Sequence, residues 1–327
     1  MTKITPSWLA TVLLMLGLAA APARASCNPP LCTPTFARTY VSAAGGSDGN
    51  TCGFGAPCRT FQRAHDQTLD QGEITVLDPG EYGMVTITKS ISIANDGGGA
   101  ASIQVSGKIG FEAGVIVNGN SGAYVNLRGL TIEGVGLGYG IVFNSGFSLT
   151  VTKCLIRNHV GDGIFFNPLL GKFDLAVSDT VVADNGGNGI SIAPAGTLNA
   201  VLNRVEVYNN NGDGILVEGQ LGGVFNVTIA DSVAANNGTT SNGAGFEMFG
   251  TEATITVMVV RSVSANNGVG LRNDSIHPFT MRVAQSVVTG NAVSWEAKNQ
   301  GILLSYGDNK IDGNGDGNPA PSTIGKK

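Results

Sequence analysis

The chain has 327 residues, of which 48 are glycine and only 13% are charged, about half the usual share of charged residues. Its 42% of hydrophobic residues and its net charge of −5 exclude an intrinsically disordered chain and a strongly basic nucleic-acid binder. Aromatic residues make up 6%, so the core is expected to be aliphatic and divided by many glycine-containing turns.

Residues 1–25 have the order of a secretory signal peptide. Lys3 precedes an apolar run over residues 9–21, and small residues surround Arg24 before a cleavage point after Ala25. The apolar run is shorter than the roughly 20 residues that cross a bilayer. We therefore expect a protein that is secreted or periplasmic and does not bind membranes.

The five cysteines suggest two short disulfide-bonded loops. In an exported chain, Cys27 can pair with Cys32, within a cysteine-containing segment at 26–38, and Cys52 with Cys58. Cys154 is then left over. A zinc site would need further histidine or cysteine ligands close by, so we expect disulfides and no metal.

A short helix is expected after Pro57. Phe61, Ala64, Thr68 and Leu69 have helical spacing behind this proline. A stack of strands exposes both of its ends, and this helix would cover the first.

From residue 125 onward the sequence repeats with a period of about 25 residues. Each unit has an alternating strand, a short second strand, an asparagine-rich turn and a glycine that opens an apolar strand. Alternating Val, Ile and Thr favour strands over leucine-rich repeats. The opening glycines are Gly140, Gly163, Gly189, Gly214, Gly245 and Gly270; the short strand is marked by Leu130, Leu155, Val181, Val205, Val233, Val263 and Val287; the turn is marked by Asn185, Asn209, Asn237, Asn267 and Asn291.

These columns predict an all-β fold, a parallel β-helix over residues 39–311 with a tail rich in Gly, Asn and Pro at 312–327. Asparagine tolerates left-handed backbone geometry, and its amide can bond the asparagine of the next coil about 4.8 Å away. The asparagine column is therefore expected to be structural.

Three segments carry a resemblance to a known family: Thr39-Tyr-Val-Ser-Ala-Ala-Gly-Gly, Pro57-Cys-Arg-Thr-Phe-Gln-Arg-Ala and Ile74-Thr-Val-Leu-Asp-Pro-Gly-Glu-Tyr. Together with the Gly-Ile coils they resemble secreted proteins of the pectin-lyase-like superfamily. The resemblance implies right-handed coils and a polysaccharide partner. It does not fix an activity, because that superfamily includes lyases, hydrolases, esterases, epimerases and proteins without known activity.

One candidate site lies on the strands that the repeated glycines open. Alternation places one residue of each strand outward, in the column Val142, Phe165, Ser191, Leu216, Glu247, Arg272 and Glu296. Glu247 and Glu296, two coils apart, would be about 9.6 Å from each other with Arg272 between them, close to the spacing of an acid and a base in inverting glycoside hydrolysis. The alternative is a solvated cross-strand ion pair.

A second candidate site lies in the turn before the same strands. Asp162 and Asp213 precede opening glycines two coils apart, and the local string resembles part of the polygalacturonase motif without its remaining signatures. As an alternative, these carboxylates bond turn amides and are structural. His159 offers a base, although it follows the asparagine of a turn. Phe165, Tyr139 and Tyr208 are the aromatic residues that could stack on sugars.

The C-terminal segment contains one calcium-like string. Asp312, Asn314 and Asp316 occupy ligand positions 1, 3 and 5, with glycine at position 6, but Thr323 stands where a bidentate glutamate is required. We therefore expect no cofactor, with calcium as the alternative. The sequence predicts a monomeric protein that binds an extracellular or periplasmic glycan and not nucleic acid; the alternative is a lyase, hydrolase or epimerase acting on an acidic, pectin- or alginate-like polysaccharide.

Overall fold

The structure is a computed structural model that describes residues 34–106, 112–240 and 243–325. Within these ranges the chain forms 29 strands and one helix. The first half comprises β1 (Phe36–Val41), α1 (Phe61–Gln67), β2 (Thr68–Val76), β3 (Gly80–Glu81), β4 (Val85–Ile87), β5 (Ile91–Ala94), β6 (Ala101–Gln104), β7 (Ala113–Asn118), β8 (Tyr124–Arg128), β9 (Leu130–Glu133), β10 (Tyr139–Ser145), β11 (Ser148–Thr152), β12 (Leu155–Arg157) and β13 (Ile164–Phe166). The second half comprises β14 (Leu169–Ala183), β15 (Ile190–Ile192), β16 (Ala195–Tyr208), β17 (Ile215–Gly219), β18 (Val224–Ala230), β19 (Val233–Ala235), β20 (Ala244–Gly250), β21 (Thr254–Val260), β22 (Val263–Ala265), β23 (Val269–Ser275), β24 (Thr280–Ala284), β25 (Val287–Thr289), β26 (Val293–Asn299), β27 (Ile302–Ser305), β28 (Lys310–Ile311) and β29 (Ser322–Thr323).

The strands stack into two parallel sheets. One sheet has nine strands, in the order β4, β7, β10, β13, β15, β17, β20, β23 and β26, and the other has twenty. Successive coils pair strand on strand, so nine coils at about 4.8 Å give a stack of about 40 Å. The predicted parallel β-helix is confirmed. No helix within the described ranges is long and apolar enough to cross a membrane.

The core is a series of aliphatic columns inside the coils. Ile141, Ile164, Ile190 and Ile215 occupy the same position of four consecutive strands, and all are fully buried. Each is followed by an outward residue and then by another buried one, which is the period-two pattern of a half-buried strand. The columns therefore position the outward residues that the candidate site uses.

The repeated glycines are required by close packing. A Cβ atom on Gly189 would lie 2.2 Å from Cγ1 of Val207, and one on Gly163 would lie 2.3 Å from Cγ1 of Val182. Neither glycine has a left-handed backbone. The turn thus brings each glycine against an inward side chain of the short strand in the next coil, and no larger residue fits there.

The asparagine ladder is present, with one change of residue. Buried Asn185, Asn210, Asn237, Asn267, Asn291 and Asn314 bond one another from coil to coil through their side-chain amides. Asn209 was expected in this column and that expectation is wrong: Asn209 has a left-handed backbone and an exposed amide that bonds Asp184. The left-handed turn and the buried ladder are therefore two adjacent columns.

The short-strand column is also displaced at two coils. Leu155, Val181, Val233, Val263 and Val287 are in register as expected, but the paired residues in the other two coils are Thr131 and Glu206. Leu130 and Val205 lie one residue earlier and are buried. In those two coils, the apolar residue that the sequence analysis selected points into the core. The paired residues of the column point outward.

Both ends of the nine-stranded sheet are covered. Helix α1 lies against β4, where the backbone N–H groups of Thr86 and Thr88 donate to Gln62 and His65. At the other end, Ser294 of β26 donates to Asp316 from its backbone and its hydroxyl group. Of the residues expected to form the helix core, Phe61 and Ala64 are buried, whereas Leu69 is 42% exposed because it belongs to strand β2.

The Cys52–Cys58 disulfide is confirmed, and Cys154 is a free cysteine buried in the core. Burial raises the pKa of the Cys154 thiol to about 11, so it is protonated and unreactive at neutral pH. The Cys27–Cys32 bond and the signal peptide lie outside the described residues and stay predictions.

Candidate functional site

The outward column of the nine-stranded sheet has the predicted register. Val142, Phe165, Ser191, Leu216, Glu247, Arg272 and Glu296 pair in this order on consecutive strands. The first four are apolar or small, whereas the last three are charged. The charged residues therefore lie together at the C-terminal end of this face.

Arg272 joins the two glutamates on either side of it. Its Nη1 atom lies 2.7 Å from Oε2 of Glu247, and its Nε atom lies 2.9 Å from Oε2 of Glu296. The Arg272 and Glu247 side chains are only 10% and 11% exposed. Lys298 also contacts Glu296 at 2.9 Å. The guanidinium group is thus already used by carboxylates of the chain itself.

Glu247 has a second carboxyl partner, Asp213, in the turn of the preceding coil. The Asp213 carboxyl group lies close enough to that of Glu247 to oppose its ionisation. Burial, followed by the nearby Asp213 charge, raises the pKa of Glu247 to about 8, against the opposing effect of Arg272. The structure therefore brings together residues of the two candidate sites, and Glu247 holds its proton more tightly than an isolated glutamate does.

Asp162 and Asp213 also belong to a ladder in the turns. The Asn188 backbone N–H donates to Asp162 at 2.7 Å, that of Asp213 to Asn188 at 2.7 Å, and that of Ala244 to Asp213 at 2.6 Å. Burial raises the pKa of Asp162. Asp162 thus has a structural role in this ladder. Asp213 makes a ladder bond and also contacts Glu247.

The other sequence candidates have structural partners. His159 is 2% exposed, and its backbone N–H donates to Asn185, so it stands at the beginning of the asparagine ladder; burial lowers its pKa. In the calcium-like string, Asp316 accepts hydrogen bonds from Ser294. Asn314 belongs to the ladder, and its backbone and side-chain N–H groups donate to Asn318. Among the residues that the structure describes, no group of three or more His, Cys, Asp or Glu is placed to hold a metal ion.

A polar groove lies elsewhere, on the outer face of the twenty-stranded sheet. Two concavities of about 390 and 290 Å³ adjoin there and share Ser92 and Asn126. We call them together the polar groove. It is lined by Asp70, Gln71, Gly72, Glu73, Ser90, Ile91, Ser92, Ile93, Ala94, Asp96, Asn120, Gly122, Tyr124, Asn126, Leu127, Arg128, Thr150 and Thr152.

Tyr124 provides an aromatic surface in this groove. Its side chain is 54% exposed, its ring lies 5.1 Å from the ring of Phe147, and its backbone N–H donates to Ser90. The sequence analysis did not select Tyr124. Its outward position in the alternating segment 123–128 was the available signal, but the coils before residue 125 could not be aligned by their glycines.

The aromatic residues predicted for sugar stacking are separated. Tyr139 and Phe165 stack at 6.0 Å on the face that carries the charged residues. Tyr208 lies on the other sheet, where its hydroxyl donates to Glu206. An aromatic ring therefore lies near polar groups on the charged face of the nine-stranded sheet and in the polar groove. Of these two surfaces, the polar groove is the concavity described above.

Comparison with known proteins identifies the family. The family described as "Right handed beta helix region" matches residues 80–220 and 113–315, and it also supplies the predicted handedness. No curated protein sequence matches the chain.

Two solved structures share the fold. A pectate lyase, Pel9A, superposes with a TM-score of 0.60 and 17% identity, over 88% of this chain and 82% of that one. A rhamnogalacturonan lyase superposes with a TM-score of 0.53 and 14% identity, over 82% and 75%. Because the family match spans more than half of the chain, this protein belongs to the right-handed β-helix family.

Proposed function

We propose that the protein binds a polysaccharide in the polar groove. The observation that carries the proposal is the combination, in one concavity, of the exposed Tyr124 ring with the hydroxyl and amide groups of Ser92 and Asn126. Sugar rings stack their apolar faces on aromatic side chains and hydrogen-bond through their hydroxyl groups. The similarity to structures of two polysaccharide lyases agrees with this class of ligand.

Replacing Tyr124 by alanine tests the groove. The variant loses the stacking surface, so the affinity for a bound polysaccharide is expected to fall at least about fivefold, since stacked aromatic contacts contribute on the order of 1 kcal/mol or more. Affinity gel electrophoresis against neutral and acidic plant and bacterial polysaccharides measures this change.

Phe54→Ala is the matched control for Tyr124→Ala. Phe54 is 71% exposed and packs edge-on against Tyr40, outside the residues that line the groove. Its replacement should leave affinity unchanged. If no polysaccharide is retained by the native protein, or if Tyr124→Ala binds as well as native protein does, the proposed function is wrong.

A second candidate function is polysaccharide cleavage at Glu247, Arg272 and Glu296. The specific observation in its favour is that Glu247, buried between Arg272 and Asp213, has a raised pKa, because a general acid needs a pKa near the working pH. A hydrolase fits this better than a lyase or epimerase on an acidic polysaccharide, since Arg272 is engaged by both glutamates and is not presented to a sugar carboxylate.

Glu247→Gln tests this second candidate. It preserves size and removes the ionisable proton, so a reducing-end assay should show at least about a 100-fold loss of rate for a residue that acts as acid or base. Asp162→Asn is the control, because Asn188 already performs the same ladder role in the next coil. Asp213→Asn cannot serve as a control, since Asp213 contacts Glu247. Equal rates in Glu247→Gln and native protein would exclude catalysis by Glu247.

The same proposal places the protein outside the cytoplasm, in the periplasm or the medium. The Cys52–Cys58 disulfide supports this location, because disulfides persist in oxidising compartments and are rare in the cytosol.

A further inference from the structure

The charges of the polar groove determine which polysaccharides it can accept. Three carboxylates line it, from Asp70, Glu73 and Asp96, and one cation, Arg128. The Nε atom of Arg128 lies 2.7 Å from Oδ1 of Asp96. The lining therefore carries more negative than positive charge, and its own guanidinium group is already paired.

Two further cations beside the groove are also engaged. Arg38 contacts Glu73 at 2.9 Å, and the Lys89 ammonium group donates to the carbonyl oxygen of Thr68 at 2.5 Å. Burial lowers the pKa of Lys89, while the charges of Asp66 and Asp70 oppose this effect. A sugar carboxylate in the groove would thus have to displace an existing partner to gain a cation.

The uncharged groups of the lining suit sugar hydroxyls. Ser92, Asn126, Thr150 and Thr152 follow one another on three neighbouring strands and provide both donors and acceptors. Ser90 and Asn120 extend this polar surface toward the Tyr124 ring. Neutral sugars can use all of these groups without neutralising a charge.

A polyuronate carries one carboxylate on every sugar, so several would lie near Asp70, Glu73 and Asp96 at once. Two like charges about 4 Å apart repel by roughly 1 kcal/mol in water and by about 4 kcal/mol at the effective dielectric of a protein surface. Glu73 and Asp96 are ion-paired, so this full repulsion applies to Asp70, and the two paired carboxylates add less.

We propose that the polar groove selects an uncharged polysaccharide and rejects polyuronates. This inference rests on the proposed function, because it concerns the ligand of the same groove. It separates the protein from the acidic, pectin- or alginate-like substrates that the alternative function in the sequence analysis named.

A chemically matched pair of ligands tests the inference: polygalacturonate and the same polymer with its carboxyl groups fully methyl-esterified. The backbone is identical, and each sugar of the ester carries a methyl ester group in place of the charged carboxylate. We expect the ester to bind at least about tenfold more tightly, and polygalacturonate binding to strengthen when salt screens the repulsion. Equal or tighter binding of polygalacturonate at low salt would overturn the inference.

A variant distinguishes this inference from the proposed function itself. Glu73→Gln removes one groove charge and releases Arg38 from its ion pair, so the affinity for polygalacturonate should rise several-fold while that for the ester stays the same. Glu218→Gln, on the other sheet, should change neither. If Tyr124→Ala weakens the binding of polygalacturonate but Glu73→Gln leaves it unchanged, the groove is the binding site. The charges of the groove then do not select its ligand.

Discussion

Replacing Asn237 by alanine should lower the free energy of unfolding by about 3–5 kcal/mol. Asn237 is fully buried, and its side-chain amide donates to the Val207 carbonyl oxygen and to Asn267. Its Oδ1 atom accepts from the backbone and side chain of Asn210. Alanine would leave these buried partners unsatisfied in two neighbouring coils, since no water can reach them through the packed turn. Urea unfolding monitored by circular dichroism measures the loss.

Asn199→Ala is the control for this substitution. Asn199 also bonds neighbouring coils, through Asp174 and Asn226, but its amide is exposed and water can replace both bonds. A change below about 1 kcal/mol is expected. Equal losses at Asn199 and Asn237 would show that hydrogen bonding between coils, and not burial, determines the contribution of an asparagine.

The sequence was sufficient to predict the coil and its outward column. Alternation with period two distinguishes inside from outside, and the opening glycine fixes the start of each strand, so the register of Glu247, Arg272 and Glu296 could be derived without a structure. The glycine is a reliable marker because a Cβ atom at Gly189 or Gly163 has no space.

The asparagine turn was harder to predict because two adjacent residues serve different purposes. Asn209 supplies the left-handed bend and Asn210 the buried amide, and both positions are asparagine in that coil. Sequence spacing alone cannot tell them apart. In the neighbouring coil Asp184 takes the bend, which shows that the bend tolerates a carboxylate while the ladder requires an amide that both donates and accepts.

The contact between Asp213 and Glu247 could not be predicted from columns. The glycines on either side of it, Gly214 and Gly245, are 31 residues apart where the usual spacing is about 25, because the turn between them is longer. Asp213 leans into the next coil to bond the backbone of Ala244, and this places its carboxyl group beside Glu247. The polar groove escaped prediction for a related reason, because most of its residues precede Gly140, the first marker glycine.

Glu247→Gln should raise the stability of the protein at alkaline pH and flatten its dependence on pH. The pKa of Glu247 is raised from 4.5 to about 8 by burial and by Asp213, so the folded chain holds this proton more tightly than the unfolded chain. The resulting stabilisation is complete below pH 4.5 and is lost as the pH rises through about 8. Its size is on the order of 2–4 kcal/mol.

Glutamine reproduces the protonated state at every pH, because its amide group can donate to Asp213 while its oxygen accepts from Arg272. Thermal unfolding between pH 5 and 9 should therefore show a steep decline for native protein and a shallow one for Glu247→Gln. Glu296→Gln should behave in the opposite way. Burial raises the pKa of Glu296, but Lys298 and Arg272 outweigh it and the net pKa is lowered, so ionised Glu296 stabilises the fold above its unfolded pKa. The Glu296→Gln variant should therefore be less stable than native protein at neutral and alkaline pH. Parallel curves for native protein and Glu247→Gln would show that Glu247 does not hold its proton more tightly in the folded chain than in the unfolded chain.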